Sequence, residues 1–180
     1  KTNANYFGWP ERFSSASRIE RRFYLMLMKR KISWRWTRLF LPGSYAVLEG
    51  AQQVPAWVWT RDDLVVEKFL PEKEGDEYTL RAWVFFGPQE YCARMFSRSP
   101  VVKATEITHY DYIDDVPDSV REARCGLGVD FGKFDYVMVN GEAVLLDVNK
   151  TPTMAARQRG DGHSPNMLKL SSGLEYFLEG

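Results

Sequence analysis

The sequence contains few of the residues that build several common kinds of site. Its 180 residues include only 2 cysteines and 2 histidines. Two cysteines are too few for a disulfide framework, and two histidines leave little material for a histidine-rich zinc site or a Ser-His-Asp relay. Cys92 and Cys125 also lack metal-ligand spacing, so we predict that both are buried free thiols.

Long apolar runs and net charge are missing as well. The longest apolar stretches, 23–28 and 82–86, are far shorter than the roughly 18 residues needed to cross a bilayer. With no charged-then-apolar signal at the N-terminus, we expect a soluble, cytoplasmic chain without a membrane partner. Lys and Arg total 24, as do Asp and Glu, and this balance argues against a globally electrostatic nucleic-acid binder.

The sequence does contain two apolar segments with acids set inside them, between residues 129 and 149. The dipeptide Asn140-Gly141 between them is typical of a β-hairpin turn. A carboxylate without a partner is unfavourable in a half-buried strand, so we expect Asp135 and Asp147 to face a cation, for which a hard divalent metal is the natural candidate. Asp147 and Asn149 share a face because they are two residues apart on one strand.

The length of the hairpin loop decides whether Asp135 joins that face. A two-residue loop of Asn140 and Gly141 would place Asp135 opposite Leu146. Because Leu146 neighbours Asp147, the two carboxylates would then point to opposite sides of the sheet.

The alternative is a three-residue loop that begins at Val139 and leaves Gly141 left-handed in a bulge. Asp135 would then oppose Leu145 and share a face with Asp147 and its neighbouring asparagine. We predict this register. Three converging oxygen-bearing side chains suit Mg²⁺, or Mn²⁺, carried in with the phosphates of a nucleotide. A hairpin with an ordinary solvated polar face is the alternative interpretation.

Periodicity predicts the remaining elements. A capping box at Ser17 and Glu20 precedes apolar residues at the spacing of one helix face. The predicted helices cover 18–31, a segment from Asp118 towards Cys125, and a last segment that opens at Ser164-Pro165. The predicted strands are 57–59, 64–70, 78–86 and 90–96, besides the hairpin. Residues 97–115 contain no readable motif.

Three blocks of this sequence carry a family resemblance. They are VVEKFLPE at 65–72, EYTLRAWV at 77–84, and the hairpin from 128 to 152. Their order, a strand, an acidic turn, a strand, a helix and a hairpin ending in acid-x-Asn, resembles that of ATP-grasp enzymes over about residues 64–152. The resemblance implies an α+β fold in which two subdomains with antiparallel sheets and flanking helices hold ATP between them. The expected subdomains are 1–70, which is partial, and 71–180.

The resemblance also implies roles for individual residues. Backbone groups of a hinge would meet adenine, and a later acid would bind the ribose. We favour Glu77 for the ribose, with Glu72 and Glu74 as competitors. Arg81 would approach the phosphates as the catalytic cation. The other implied contacts are Lys1 to phosphate, the hinge Glu67, Lys68, Phe69 and Leu70 to adenine, and Asp135, Asp147 and Asn149 to magnesium.

The activity implied by the resemblance is ATP-dependent ligation. A substrate carboxylate would attack the γ-phosphate, and an amine or similar nucleophile would displace phosphate from the acyl phosphate. Two departures bear on this expectation. Asp147 stands where the family usually has glutamate, so one metal could replace two. The N-terminal domain that normally precedes the phosphate-binding lysine is absent before Lys1, so we expect either a portion of a longer protein or a reduced form completed by a second copy or a partner.

Two other functions remain as alternatives. One is a nucleotide-binding remnant without catalysis. The other is a nucleic-acid-binding module at residues 12–38, where nine Lys or Arg residues accompany Glu20 as the one acid, and Trp34 and Trp36 interleave with arginines. We favour a basic helix face with core tryptophans over nucleic-acid binding for this segment.

Overall fold

The chain divides between Phe69 and Leu70 into two units, Lys1–Phe69 and Leu70–Gly180. The division lies one residue before the expected boundary. The computed structural model describes residues 14–30, 32–40, 46–152 and 165–178. Within those ranges, no helix combines the length and the apolar character that crossing a membrane requires.

The regular elements of the first unit, where it is described, are helical apart from a single bridge residue, Leu64. Helix α1 spans Arg18–Arg30, and three short helical segments follow: α2 (Trp34–Thr37), a 3₁₀ turn (Ala51–Gln53) and α3 (Ala56–Trp59). The capping box is confirmed, because the Ser17 amide donates to Glu20 Oε2 at 2.7 Å and the Glu20 amide donates to Ser17 Oγ at 3.3 Å.

Two strand predictions in this unit are wrong. Residues 57–59 lie in α3, which follows Pro55, and the Pro55 carbonyl accepts a hydrogen bond from the Val58 amide at 2.9 Å, which forms a helical turn in place of a strand. Of residues 64–70, Leu64 alone has strand pairing. Aromatic and branched residues favour a strand only when a partner strand pairs with them, and Trp57 and Leu64 instead pack around the buried Phe40.

The second unit is built on an antiparallel sheet of six strands. The order is β4-β3-β2-β5-β6, with β1 paired to the start of β2. The strands are β1 (Glu72–Glu74), β2 (Glu77–Phe86), β3 (Gln89–Ser97), β4 (Ile107–Ile113), β5 (Phe131–Val139) and β6 (Glu142–Asn149). The predicted α+β class is therefore confirmed, whereas strands β1 and β4 were missed.

One face of this sheet forms the main core. Trp83 and Phe85 of β2 pack against Phe134 of β5, with ring centroids 5.9 and 5.2 Å apart. Helix α4 (Asp118–Leu127) covers these rings through Val120. Because successive strand residues point to opposite faces, the residues between these aromatics lie on the other side of the sheet, which carries the candidate site.

Three short helices close the chain: α5 (Pro165–Ser171), a 3₁₀ turn (Ser172–Leu174) and α6 (Glu175–Leu178). Phe177 of α6 stacks on Phe86 at the end of β2, with ring centroids 5.5 Å apart. Gly173 lies against the backbone at the same place. A Cβ atom added to Gly173 would stand 2.1 Å from the Phe86 carbonyl oxygen.

Replacing Gly173 with alanine is therefore expected to destabilise the second unit by roughly 2 kcal/mol, because backbone rather than a mobile side chain blocks the methyl group. Urea denaturation would measure the loss. Gly126→Ala is the matched control, since a Cβ added there meets nothing within 4 Å. Equal midpoints for the two variants would contradict this account of the close approach.

Candidate functional site

The hairpin between β5 and β6 has a loop of two residues. Val139 pairs with Glu142, and both loop residues have positive φ, 53° for Asn140 and 84° for Gly141. These angles are those of a type I′ turn, which matches the twist of the flanking strands. The predicted three-residue loop, with Val139 inside it, is wrong.

The acids nevertheless come together, because the register shifts further along the hairpin. Tyr136 pairs with Leu145, but the next residue, Asp135, pairs with Asp147. Leu146 is thus the extra residue of a β-bulge. The bulge moves Asp147 onto the face of Asp135, which is the result that the longer loop was expected to give.

Four polar side chains consequently form a block on one face of the sheet. Asp135 opposes Asp147, and Lys133 opposes Asn149 two positions away. Directly opposed residues have Cβ atoms about 4.5–5.5 Å apart. We call Lys133, Asp135, Asp147 and Asn149 the polar quartet. Sequence reasoning missed Lys133, although the period of two already placed it on the face of Asp135.

Asp135 is the most constrained member of the polar quartet. Its side chain is 14% exposed, and its Oδ2 accepts a hydrogen bond from Lys133 Nζ at 2.7 Å. Its other oxygen, Oδ1, is buried and has no hydrogen-bond partner. Burial raises the pKa of Asp135, Lys133 opposes that rise, and Asp147 adds to it. A buried oxygen without a partner beside a second carboxylate is a place where a cation would relieve both desolvation and repulsion.

The other two oxygen ligands are more accessible. Asp147 is exposed, and Asn149 Oδ1 accepts a hydrogen bond from the Thr151 amide at 2.9 Å. In the described part of the chain, no group of three or more His, Cys, Asp or Glu residues is arranged to hold a metal ion. A cation at the polar quartet would therefore need ligands from water or from a bound molecule, as Mg²⁺ commonly has.

Arg81 does not join the polar quartet. It opposes Tyr136, whereas its neighbour Ala82 opposes Asp135, so Arg81 and Asp135 lie on opposite faces of the sheet. Arg81 instead forms a hydrogen-bonded ion pair with Glu72, at 2.8 Å from Nη2 and 3.1 Å from Nε. Strand alternation thus places Arg81 on the face opposite the acids, and its approach to the phosphates stays a prediction.

The three acids considered for the ribose are all engaged with other side chains. Glu72 pairs with Arg81, and Glu74 accepts a hydrogen bond from Arg94 at 2.5 Å. Glu77 accepts one from Thr108 at 2.7 Å. Glu74 and Glu77 also line an open pocket of about 660 Å³, together with Asp76, Arg98, Thr108 and His109. These contacts provide no reason to prefer Glu77 as a ribose ligand.

The remaining predicted ligands lie elsewhere in the chain. Glu67, Lys68 and Phe69 end the first unit in a segment that is neither helix nor strand, and Leu70 begins the second unit. The structure thus gives this segment no regular element of its own. Lys1 lies outside the described residues.

The basic segment 12–38 contains one tryptophan in a core position. Trp34 stacks on Phe40 with centroids 5.0 Å apart and meets Trp57 edge-on at 6.0 Å. Trp36 is exposed. Trp34 is therefore used in packing, and in the described part of the segment Trp36 is the tryptophan exposed for base stacking. A single exposed tryptophan weakens the nucleic-acid alternative.

Comparison with known proteins identifies no relative of this chain. The chain matches no protein-family model, and no curated protein or solved structure shows significant similarity to it.

Proposed function

We propose that this chain binds ATP with a divalent metal at the polar quartet and is an ATP-grasp ligase. The observation that carries the proposal is the position of Asp135, directly opposite Asp147 with a buried oxygen that has no partner. That arrangement is costly in a protein that binds no cation, since like charges directly opposed in a sheet are destabilising. The order of motifs, which resembles that of ATP-grasp enzymes, supports the same assignment.

The side chains present fit Mg²⁺. Asp135 and Asp147 would supply carboxylate oxygens, and Asn149 would supply an amide oxygen, all of which are ligand types that Mg²⁺ prefers. Bound magnesium would offset negative charge on phosphate oxygens. Lys133 takes the cationic role first expected of Arg81, because Lys133 shares the face of the acids and Arg81 does not.

The proposed reaction joins a carboxylate to an amine or a similar nucleophile. The carboxylate attacks the γ-phosphate, the bond to the β-phosphate bridging oxygen breaks to release ADP, and the nucleophile then displaces phosphate from the acyl phosphate. The polar quartet would fix the phosphates in position and balance their charge, which are the main tasks of a protein in phosphoryl transfer.

Replacing both Asp147 and Asn149 with alanine is expected to abolish magnesium-dependent ADP binding, a loss of at least about 100-fold in affinity, since two of three metal ligands disappear. Isothermal titration calorimetry of the full chain with ADP and Mg²⁺ would measure it. The fold should persist, because Asp147 is exposed and the Asn149 side chain accepts its hydrogen bond from the nearby Thr151 amide.

Glu142→Ala is the matched control, because Glu142 is an exposed acid on the same strand outside the polar quartet. Undiminished ADP binding by the double variant would refute the metal assignment. ATP-dependent phosphate release with candidate carboxylates would separate the ligase from the second candidate, a nucleotide-binding protein without catalysis.

A further inference from the structure

We propose that Lys133 is a built-in cation that limits the polar quartet to one divalent metal. The inference rests on the proposed function and goes beyond it by fixing the number of metal ions. It starts from the two oxygens of Asp135, which are in different states. Oδ2 is held by Lys133 Nζ at 2.7 Å, and Oδ1 is buried without a partner.

The surroundings of Lys133 direct its ammonium group towards the acids. On the β2 side, Lys133 opposes Val84, and the neighbouring Ala82 opposes Asp135. Neither of these side chains offers a charged group. On the β6 side, Lys133 opposes Asn149, which is uncharged. The carboxylate of Asp135 is therefore the acid that Lys133 reaches, and its side chain is 30% exposed in that position.

The supply of ligands leads to the same conclusion. Two divalent ions that share a site lie about 3.5–4 Å apart, so their ligands must include oxygens that reach both of them. In the polar quartet, Lys133 holds Asp135 Oδ2, so Asp135 cannot bridge two ions and Asp147 is left as the single acid that could. Within the described ranges, no third His, Cys, Asp or Glu completes a metal-binding group with them. One metal can use Asp135 Oδ1 and Asp147, while Lys133 occupies the place of a second.

Charge gives an independent reason. Counted over the protein groups alone, without the triphosphate, Lys133 and the two carboxylates carry a formal charge of about −1, and one divalent ion changes this to about +1. A second divalent ion would have to displace the ammonium group or approach it closely, which is unfavourable at these short distances. Removing the ammonium group should therefore make room for a second ion.

The test counts the Mn²⁺ ions bound per chain in the presence of a saturating non-hydrolysable ATP analogue, by electron paramagnetic resonance of the Mn²⁺ that remains free. Wild type is expected to bind one ion. Lys133→Met is expected to bind two, because methionine keeps the length of the side chain and removes its charge. Lys150→Met is the matched control, since Lys150 is an exposed lysine next to Asn149, and it should bind one.

Each outcome distinguishes the two proposals. Wild type that binds neither Mn²⁺ nor the nucleotide analogue overturns both of them. Two ions in wild type, or a single ion in Lys133→Met, overturns the single-metal inference and leaves the proposed function standing. A single ion bound more tightly by Lys133→Met would show that Lys133 only competes for the same position. Lys133→Gln, checked for folding by circular dichroism, provides a second variant if the first does not fold.

Discussion

Replacing Glu72 with alanine is expected to destabilise the second unit by about 3 kcal/mol. Glu72 and Arg81 form an ion pair in which the side chains are 12% and 17% exposed. Removing one partner of a buried pair leaves an uncompensated charge, which typically costs 3–5 kcal/mol. Glu72 Oε2 also accepts the Met138 amide at 2.7 Å, so the same substitution leaves a backbone donor of β5 without a partner. Denaturant unfolding monitored by tryptophan fluorescence would measure the loss.

Glu74→Ala is the matched control. Glu74 lies two residues further along the same strand and pairs with Arg94, but its side chain is 57% exposed, and Arg94 also binds Asp111 at 2.9 Å. Exposed ion pairs contribute about 0–1 kcal/mol, so this variant should unfold close to wild type. Combining Glu72→Met with Arg81→Met should recover part of the loss, because no charge is then left unpaired. Equal destabilisation by the Glu72 and Glu74 variants would show that burial does not set the contribution of this pair.

The interaction of Glu72 with Arg81 illustrates what the sequence alone could not provide. Glu72 lies in a polar stretch, EKEGDE, that indicates a turn. Three of its residues instead form β1, and the pairing of Glu72 with Thr79 brings its side chain to Arg81. A strand of three polar residues has no hydrophobic periodicity, so the pattern offers nothing from which to predict it. The longer strands β2, β3 and β5 were predicted because each contains enough apolar residues to show the pattern of a strand.

The hairpin shows a different limit. The turn at Asn140-Gly141 and the shared face of Asp135 and Asp147 were both predicted. The shared face was attributed to a three-residue loop, whereas the structure produces it through a bulge in β6. The sequence does contain a trace of the bulge at Leu146. Leu145 and Val148 both pack against the core although they are three residues apart, and strict alternation allows only an even spacing on one face. A shift of apolar phase within a strand is thus a sign of a bulge that loop length alone does not reveal.

The face on which Lys133 lies could also be predicted from the sequence, but its ion pair with Asp135 could not. Its position two residues before Asp135 places it on the same face. Its ion pair with Asp135, however, depends on the apolar neighbours on β2, and these are known only once the register of β2 against β5 is known. Local pattern predicts which side chains share a face, whereas tertiary pairing decides which of them interact.

Asp135→Asn is expected to have opposite effects on stability and on ligand binding. The substitution removes a buried charge that Asp147 opposes, while an amide of the same size can still accept from Lys133 and can donate to Asp147. The raised pKa of Asp135, caused mainly by burial, agrees in sign: the charged form is the less favourable one in the folded state, so stability falls as pH rises through the titration of this group. The unliganded variant should therefore be more stable than wild type by about 1 kcal/mol, or roughly 4 °C in melting temperature.

Bound Mg²⁺ and ADP should reverse the order of the two melting temperatures. A ligand present at about 100 times its dissociation constant stabilises a protein by about 2.7 kcal/mol, and the Asp135→Asn variant, without one carboxylate ligand, should lose most of this gain. Thermal melts with and without Mg²⁺ and ADP would then show the variant above wild type when unliganded and below it when liganded. Asp147→Asn should also lose the ligand effect, with a smaller gain in unliganded stability, because it relieves the repulsion with Asp135 but its own side chain is exposed. If the unliganded Asp135→Asn variant melted below wild type, the ion pair with Lys133 would outweigh the burial of the carboxylate. The polar quartet would then be a stabilising feature of the fold rather than a site held at the expense of stability for a cation.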